Sequence, residues 1–282
     1  VYPETLYVTE TYTLARYGEV DLSGTAPLNN PTNVAEPGAP ALAVEAANDL
    51  NRIILDDASS VQNPPVVEHL RTTGDTLRIG DTVTGLTGVI YYSYSVYRVE
   101  PVGDVTFTPA SVRPTTPPDV GGTLKVASFN VLNYFTTLDG SGAICGPTGG
   151  MDCRGADSAT EFTRQRDKII AAITTLDADV IGLMEIENHA ADAAVTDLVN
   201  GLNATAGAGT YAAINTGPIG TDAIKVALIY KPAKVSLEGS FAILDSSVDP
   251  NFLDTKNRPV LAQTFEEIAT GELFTVAVNH LK

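Results

Sequence analysis

The sequence predicts a small β-rich module followed by an α/β domain. Short β-branched and aromatic runs fill residues 1–112. A proline-rich then glycine-rich stretch, Arg113-Pro-Thr-Thr-Pro-Pro-Asp-Val-Gly-Gly122, reads as a linker at 113–122. Beyond it, over 123–282, apolar strand-like runs alternate with amphipathic helical stretches, the pattern of an α/β sheet. A chain of 282 residues has room for one large domain or two ordinary ones.

In the first module, Leu6–Leu14 reads as a strand and Leu77–Val83 alternates. Gly85–Val99 reads as two strands with Gly88 as a bulge. An alanine-rich helix is expected from Pro40 to Asn51, then a strand Arg52–Leu55 and an acidic turn at Asp56-Asp57. Several short strands with one helix suggest a small β-barrel of the OB type. In the second part, Leu124–Val131 is a buried strand. Ser158-Ala-Thr-Glu161 is a capping box opening a helix, with Phe162, Ile169, Ile173 and Leu176 on one face. Val180–Glu187 is a second strand, and Val195, Leu198, Val199 and Leu202 mark a second helix. Ala223–Lys231 and Leu273–His280 are further strands.

Charge and cysteine usage narrow the function. Acidic residues number 34 against 17 Lys and Arg, a net charge of −17, and 44% of residues are hydrophobic. That composition excludes a wholly disordered chain and disfavours a scaffold gripping nucleic acid through a broad basic surface. An acidic protein that handles phosphate needs a metal ion or a few focused cations. No apolar run approaches the ~20 residues of a membrane helix, so neither a membrane span nor a secretory h-region is expected. The two cysteines, Cys145 and Cys153, sit in the segment CGPTGGMDC. With no third Cys and no His in this segment, a tetrahedral zinc site cannot be completed locally. The expectation is a short disulfide, with two free thiols as the alternative; paired cysteines point to an oxidising compartment and a secreted or periplasmic protein.

Polar residues interrupt the apolar strands at equivalent places. Asn130 follows Val-Ala-Ser-Phe, Glu185 follows Ile-Gly-Leu-Met, and His280 follows Val-Ala-Val-Asn, each at a strand's C-terminal end, where α/β sheets build their sites. Taken singly, a turn former, a solvated strand end and a loop-bound histidine explain them; together they suit a hard cation and a phosphate. Mg²⁺ keeps most of its waters and needs one or two carboxylates, Mn²⁺ and Ca²⁺ being alternatives. A histidine nearby suits a preorganised donor to a phosphoryl oxygen.

These residues carry a resemblance. Leu124-Lys-Val-Ala-Ser-Phe-Asn-Val-Leu-Asn-Tyr134 and Ala178-Asp-Val-Ile-Gly-Leu-Met-Glu-Ile-Glu-Asn188 resemble the endonuclease/exonuclease/phosphatase superfamily, whose relatives include pancreatic deoxyribonuclease. The nearer likeness is to its branch of secreted bacterial extracellular nucleases, through Arg154-Gly-Ala-Asp157, Glu161-Phe with Arg164-Gln165, Gly220–Tyr230, Arg258-Pro259 and Val278–Lys282. It extends into the first module through Arg16-Tyr-Gly18, Leu55-Asp-Asp57 and Leu77-Arg-Ile-Gly-Asp81. The resemblance implies a four-layered α/β sandwich, with Glu185 the metal-binding glutamate, Asn130 the asparagine beside it, and His280 a contact to the scissile phosphate. It implies an extracellular or periplasmic Mg²⁺-dependent nuclease acting on DNA or RNA. The alternatives are a phosphomonoesterase or lipid phosphodiesterase of the same superfamily, or a non-catalytic binding fragment. The superfamily's later Gly-Asp-x-Asn element and Asp-His pair have no counterpart, so residues 123–282 correspond to the first half of that domain. The C-terminal half is the implied partner, and the chain alone is expected to be inactive.

Other residues have two readings each. Arg154 and Arg258 are candidates to grip phosphate or to anchor loops, and Asp222 to orient a site residue or cap a turn. Asp56-Asp57 reads as an acidic turn more readily than a Ca²⁺ site. Tyr91, Tyr92, Tyr94 and Tyr97 read as packing more readily than as a base-stacking platform. His69 and His189 read as surface residues, and Glu187 as the solvent-side neighbour of Glu185.

Overall fold

The computed structural model describes residues 1–70, 76–110 and 114–281. Val112 and Arg113, the expected module end and linker start, lie outside the described residues, as does Lys282. The chain divides into two compact units, Val1–Thr115 and Thr116–Lys282.

The first unit runs β1 (Tyr2–Glu10), α1 (Leu14–Tyr17), β2 (Val20–Ser23), α2 (Pro31–Val34), α3 (Ala39–Leu50), β3 (Arg52–Leu55), β4 (Thr82–Leu86), β5 (Gly88–Ser93) and β6 (Val96–Pro101). These form one six-stranded sheet in the order β4-β1-β2-β3-β6-β5, with β3 and β6 parallel. Only Thr87 separates β4 from β5, so one bent segment supplies both outer strands of that order. Gly88 is needed for close approach rather than for the expected bulge. A Cβ there would lie 2.4 Å from the carbonyl oxygen of Glu100, and the β5–β6 register runs without a shift. The core gathers Leu6, Val8, Val20, Leu22, Leu55, Val83 and Val99.

Two expected strands are shorter than the sequence suggests. Leu6–Leu14 breaks at Glu10, whose carboxylate accepts the backbone N–H groups of Thr11 and Tyr12 and turns the chain into α1. Of Leu77–Val83 only the end is strand. Asp81 accepts the N–H of Arg78 and holds a turn there, while Leu77 still enters the core. His69 is buried, 2% exposed, and not the surface residue expected; burial pushes its imidazole below the usual value against the opposing pull of Asp57, Glu68 and Asp56. His189 is exposed. Asp56 and Asp57 each accept a backbone N–H two residues on, from Ala58 and Ser59, as an acidic turn does.

The second unit runs β7 (Val126–Tyr134), β8 (Ile144–Cys145), β9 (Met151–Asp152), α4 (Ala159–Leu176), β10 (Val180–Glu187), α5 (Ala193–Ala206), β11 (Ala212–Ala213), β12 (Ile224–Tyr230), β13 (Val235–Leu244), β14 (Arg258–Glu267) and β15 (Leu273–His280). Cys145 and Cys153 are disulfide-bonded across the β8–β9 hairpin. Ser158 caps α4 by accepting the N–H of Glu161, as the capping box requires; the Glu161 carboxylate returns to the N–H of Asp157.

One sheet is ordered β11-β12-β10-β7, with β7 and β10 parallel across the α4 crossover, and a second is ordered β13-β14-β15. Ile181, Leu183 and Ile186 of β10 pack beneath Ile169, Ile170 and Ile173 of α4 and Val195, Leu198 and Leu202 of α5. On the opposite face Val180, Val226 and Leu228 meet Leu261, Phe265 and Val278 of the second sheet. The described layers are therefore helices, sheet, sheet. β10 is covered on both faces, which is why Val180–Leu183 has no polar alternation. The sheets approach closely where β10 has Gly182: a Cβ there would lie 2.9 Å from Val278 Cγ2. No helix among the described residues is long and apolar enough to cross a membrane.

Candidate active site

Parallel pairing sets the first two site residues side by side. β7 and β10 run in register from Val126↔Val180 to Asn130↔Met184 and pair again at Tyr134↔Ile186, so Asn130 and Glu185 lie in one irregular stretch inside the strands and not at the strand ends expected. There both strands leave regular geometry. Against β12 the register slips between Leu183 and Ile186, so β10 carries one extra residue at Met184-Glu185; against β7 the slip runs the other way, Glu185 alone facing Val131, Leu132 and Asn133. Glu185 has φ +67, and Leu132 and Asn133 have φ 52 and 51, left-handed values costly for side-chain-bearing residues. The cost is offset by hydrogen bonds that use the bent backbone. Asn130 Nδ2 donates to Glu185 Oε1 at 2.9 Å, and the Asn133 N–H donates to Oε2 at 3.0 Å. Asn130 Oδ1 accepts the Leu132 N–H at 2.8 Å. From α4, Gln165 Nε2 donates to the carbonyls of Leu132 at 2.6 Å and Val131 at 3.2 Å.

The third residue arrives from the other sheet. His280 ends β15, and the close contact of β10 with β15 at Gly182 and Val278 brings its Nε2 to 3.7 Å from Glu185 Oε1. That is longer than a hydrogen bond. The side chains are 18% and 19% exposed, and His280 Nδ1 has no partner among the described residues. Asn130, Glu185 and His280 therefore share one partly open corner.

Arg154, Asp222 and Arg258 come together as a second group. Arg154 Nη2 lies 3.0 Å from Asp222 Oδ1; Arg258 donates through Nε at 2.9 Å and Nη2 at 2.8 Å to Asp222 Oδ2. Arg258 is the register partner of His280 in the β14–β15 pair. Fully buried Asn188 braces this segment, donating to the carbonyls of Ile219 and Asp222 and accepting the Ile219 N–H. Both arginines are thus spoken for by one carboxylate.

Glu187 is not the solvated neighbour expected. It is 1% exposed, and its Oε2 accepts the N–H of Thr136 at 2.8 Å, the hydroxyl of Thr136 at 2.9 Å and the N–H of Thr137 at 3.3 Å. The extra residue at Met184-Glu185 breaks the two-residue alternation: Leu183 and Ile186, three apart, share a core face. Sequence reasoning also missed Gln165 and Gly182. Gln165 lies in the Glu161-Phe, Arg164-Gln165 segment, and Gly182 is the one residue without a side chain in an otherwise apolar run.

Glu185 is the one residue of the corner with free carboxylate lone pairs that could hold a cation. Each Glu185 oxygen accepts one hydrogen bond and keeps a lone pair, and no cluster of three His, Cys, Asp or Glu occurs among the described residues. A single carboxylate could serve only a cation that keeps most of its waters, not a closed tetrahedral zinc site. Asn130 presents its amide nitrogen to Glu185, so in this arrangement it orients the carboxylate instead of adding an oxygen ligand.

No family model matches the chain, and no curated protein matches it. Solved structures do. An endonuclease/exonuclease/phosphatase from Bacteroides vulgatus is 17% identical over 56% of this chain and 52% of that one, with a TM-score of 0.35. The human Nocturnin catalytic domain with bound sulfate is 19% identical over 56% and 49%, TM-score 0.34. ANGEL2, a 2',3'-cyclic phosphatase, in complex with adenosine-2',3'-vanadate, is 18% identical over 56% and 41%, TM-score 0.37. The chain spans about half or less of the length of each.

Proposed function

We propose that the second unit contributes to the active site of a secreted, metal-dependent phosphodiesterase, a nuclease acting on DNA or RNA. The observation that carries this reading is the convergence of Asn130, Glu185 and His280 at one corner, with Glu185 in a left-handed backbone and its carboxylate fixed by two hydrogen bonds. A left-handed residue inside a strand, at a partly exposed carboxylate, is strain of the kind that collects at functional sites.

In this reading Glu185 holds Mg²⁺, or Mn²⁺ or Ca²⁺ in its place. Asn130 and the Asn133 N–H fix the carboxylate's direction before substrate arrives. When bound, the cation offsets charge on the phosphate and the leaving oxygen. His280 donates a hydrogen bond to a phosphoryl oxygen from a fixed position. Arg258 and Arg154 stay on Asp222 and supply positive potential near the phosphate, an offset to the net charge of −17. The general base is the Asp-His pair that the resemblance assigns to the C-terminal half of the domain, which is also the partner that adds the fourth layer of the sandwich. For the first unit we read an OB-type barrel; the strand order, the parallel β3–β6 pair and the single segment forming β4 and β5 support it.

The test uses the whole protein and the Glu185→Gln variant. Plasmid DNA, RNA and p-nitrophenyl phosphate are assayed with and without Mg²⁺, and Mn²⁺ binding is followed by paramagnetic relaxation. The variant should lose Mn²⁺ binding and about 10²-fold or more in turnover on polymer, the scale of a lost transition-state electrostatic group. Activity on the small ester alone would replace the nuclease reading with a phosphomonoesterase. Unchanged turnover at limiting Mg²⁺ would remove Glu185 from the site.

A further inference from the structure

The segments Arg16-Tyr-Gly18 and Leu55-Asp-Asp57 of the first unit have no role in the phosphodiesterase site, and they meet in one cavity. Tyr17, from Arg16-Tyr-Gly18, and Asp56, from Leu55-Asp-Asp57, line a cavity of about 570 Å³ together with Arg98, Tyr91, Tyr94 and Glu100. That volume lies within the range of small-molecule sites and is far larger than a single metal ion needs.

Its chemistry is specific. Arg98 is 7% exposed at its side chain and pairs through Nη1 with Glu19 and Asp56, the latter at 2.8 Å. Tyr91 also donates to Asp56, at 2.7 Å. Asp56 Oδ2 is thereby filled, and its other oxygen accepts the Ala58 N–H. Three groups are left over. Arg98 Nε–H has no acceptor among the described residues, although it is shielded from solvent. The Glu100 carboxylate and the second oxygen of Glu19 carry no hydrogen bond there. Tyr94 stands on the β5–β6 turn, 90% exposed, with φ 49, its ring 5.6 Å from the Arg98 guanidinium.

The leftover groups select a ligand class. An unpaired donor beside unpaired acceptors calls for a partner that both accepts and donates, as each hydroxyl of a polyol does. The tyrosine faces call for an apolar surface to lie against. Among the described lining residues, Glu19, Asp56 and Glu100 against Arg98 leave two negative charges, which repel phosphates and carboxylates. We infer that this cavity binds a neutral carbohydrate ring, free or as a unit of an uncharged polysaccharide. Its hydroxyls bridge Arg98, Glu19 and Glu100, and its C–H face lies on Tyr94.

The inference does not depend on the phosphodiesterase reading and is tested by binding alone. The 282-residue chain is titrated with glucose, galactose, mannose, N-acetylglucosamine and a neutral glucan, by saturation-transfer NMR and calorimetry. AMP and spermidine are the anionic and cationic comparators. At least one sugar should bind saturably at one site. Tyr94→Ala, on an exposed turn, and Glu100→Gln should each weaken it about fivefold or more, the scale of one lost stacking or polar contact. Glu45→Gln, on the exposed face of α3, should leave it unchanged. Loss in the first two variants alone supports the site. No saturable binding of any sugar, equal binding in all variants, or preference for AMP or spermidine overturns it.

Discussion

Gly182→Ala is the most direct probe of how the two sheets of the second unit meet. A Cβ at this position would lie 2.9 Å from Val278 Cγ2 and 3.3 Å from Cγ1, both inside ordinary carbon contact. Gly182 does not adopt a positive φ, so backbone strain adds nothing and the effect is one of crowding. Both neighbours are in the core between sheets, where Val278 is 5% exposed and has little room to withdraw. Overpacking of this kind costs about 1–3 kcal/mol. For a unit of this size that lowers Tm by roughly 2–12 °C, at about 2–4 °C per kcal/mol. Val278→Ala removes both γ carbons and by itself costs about 1.5–2.5 kcal/mol in transfer and cavity terms. Combined, the two changes should relieve each other, the double variant being about 1 kcal/mol or more better than the sum. Because the protein has no tryptophan, unfolding is followed by far-UV circular dichroism in urea with Tm from calorimetry. A wild-type Tm for Gly182→Ala, or strict additivity in the double variant, would refute the claim that this contact sets the sheet spacing.

Three further outcomes are expected. Glu187→Ala should lose about 1–3 kcal/mol, since the buried N–H groups of Thr136 and Thr137 lose their acceptor; urea midpoints check it, and a neutral effect would show that the 136–137 segment finds other partners. Burial lowers the His69 pKa below its ordinary 6.5, so the unfolded chain binds more protons; stability of the first unit should fall as pH drops below 6.5 toward the folded value, and His69→Gln should flatten that slope in a pH series of calorimetric scans. A non-reduced digest analysed by mass spectrometry should contain Cys145 and Cys153 in linked peptides, and reduction should cost roughly 2.5 kcal/mol at most from loop entropy; two thiols alkylated under native conditions would contradict the bond.

Local pattern alone determined much of this protein. The β-branched run Arg52–Leu55, the apolar run Val180–Glu187 and the alternating Leu273–His280 coincide with β3, β10 and β15, because a strand's period and its bounding turns are local properties. Ser158 with Glu161 marks the start of α4 for the same reason. The strands β13 and β14 were not legible. Val235–Leu244 is largely exposed and carries Gly239 in place of a continuous pattern, and Arg258–Glu267 is fixed by pairing on both sides. Asn130, Glu185 and His280 were each visible as polar residues ending apolar runs. Their meeting was not, since it needs three non-local events: parallel pairing of β7 with β10, an extra residue at Met184-Glu185, and Gly182 admitting Val278. The opposite fates of Glu185 and Glu187 also lay beyond reach. A strand's alternation predicts that they share a face, and only the tertiary fold inserts the residue that turns one carboxylate toward the corner and buries the other under a loop.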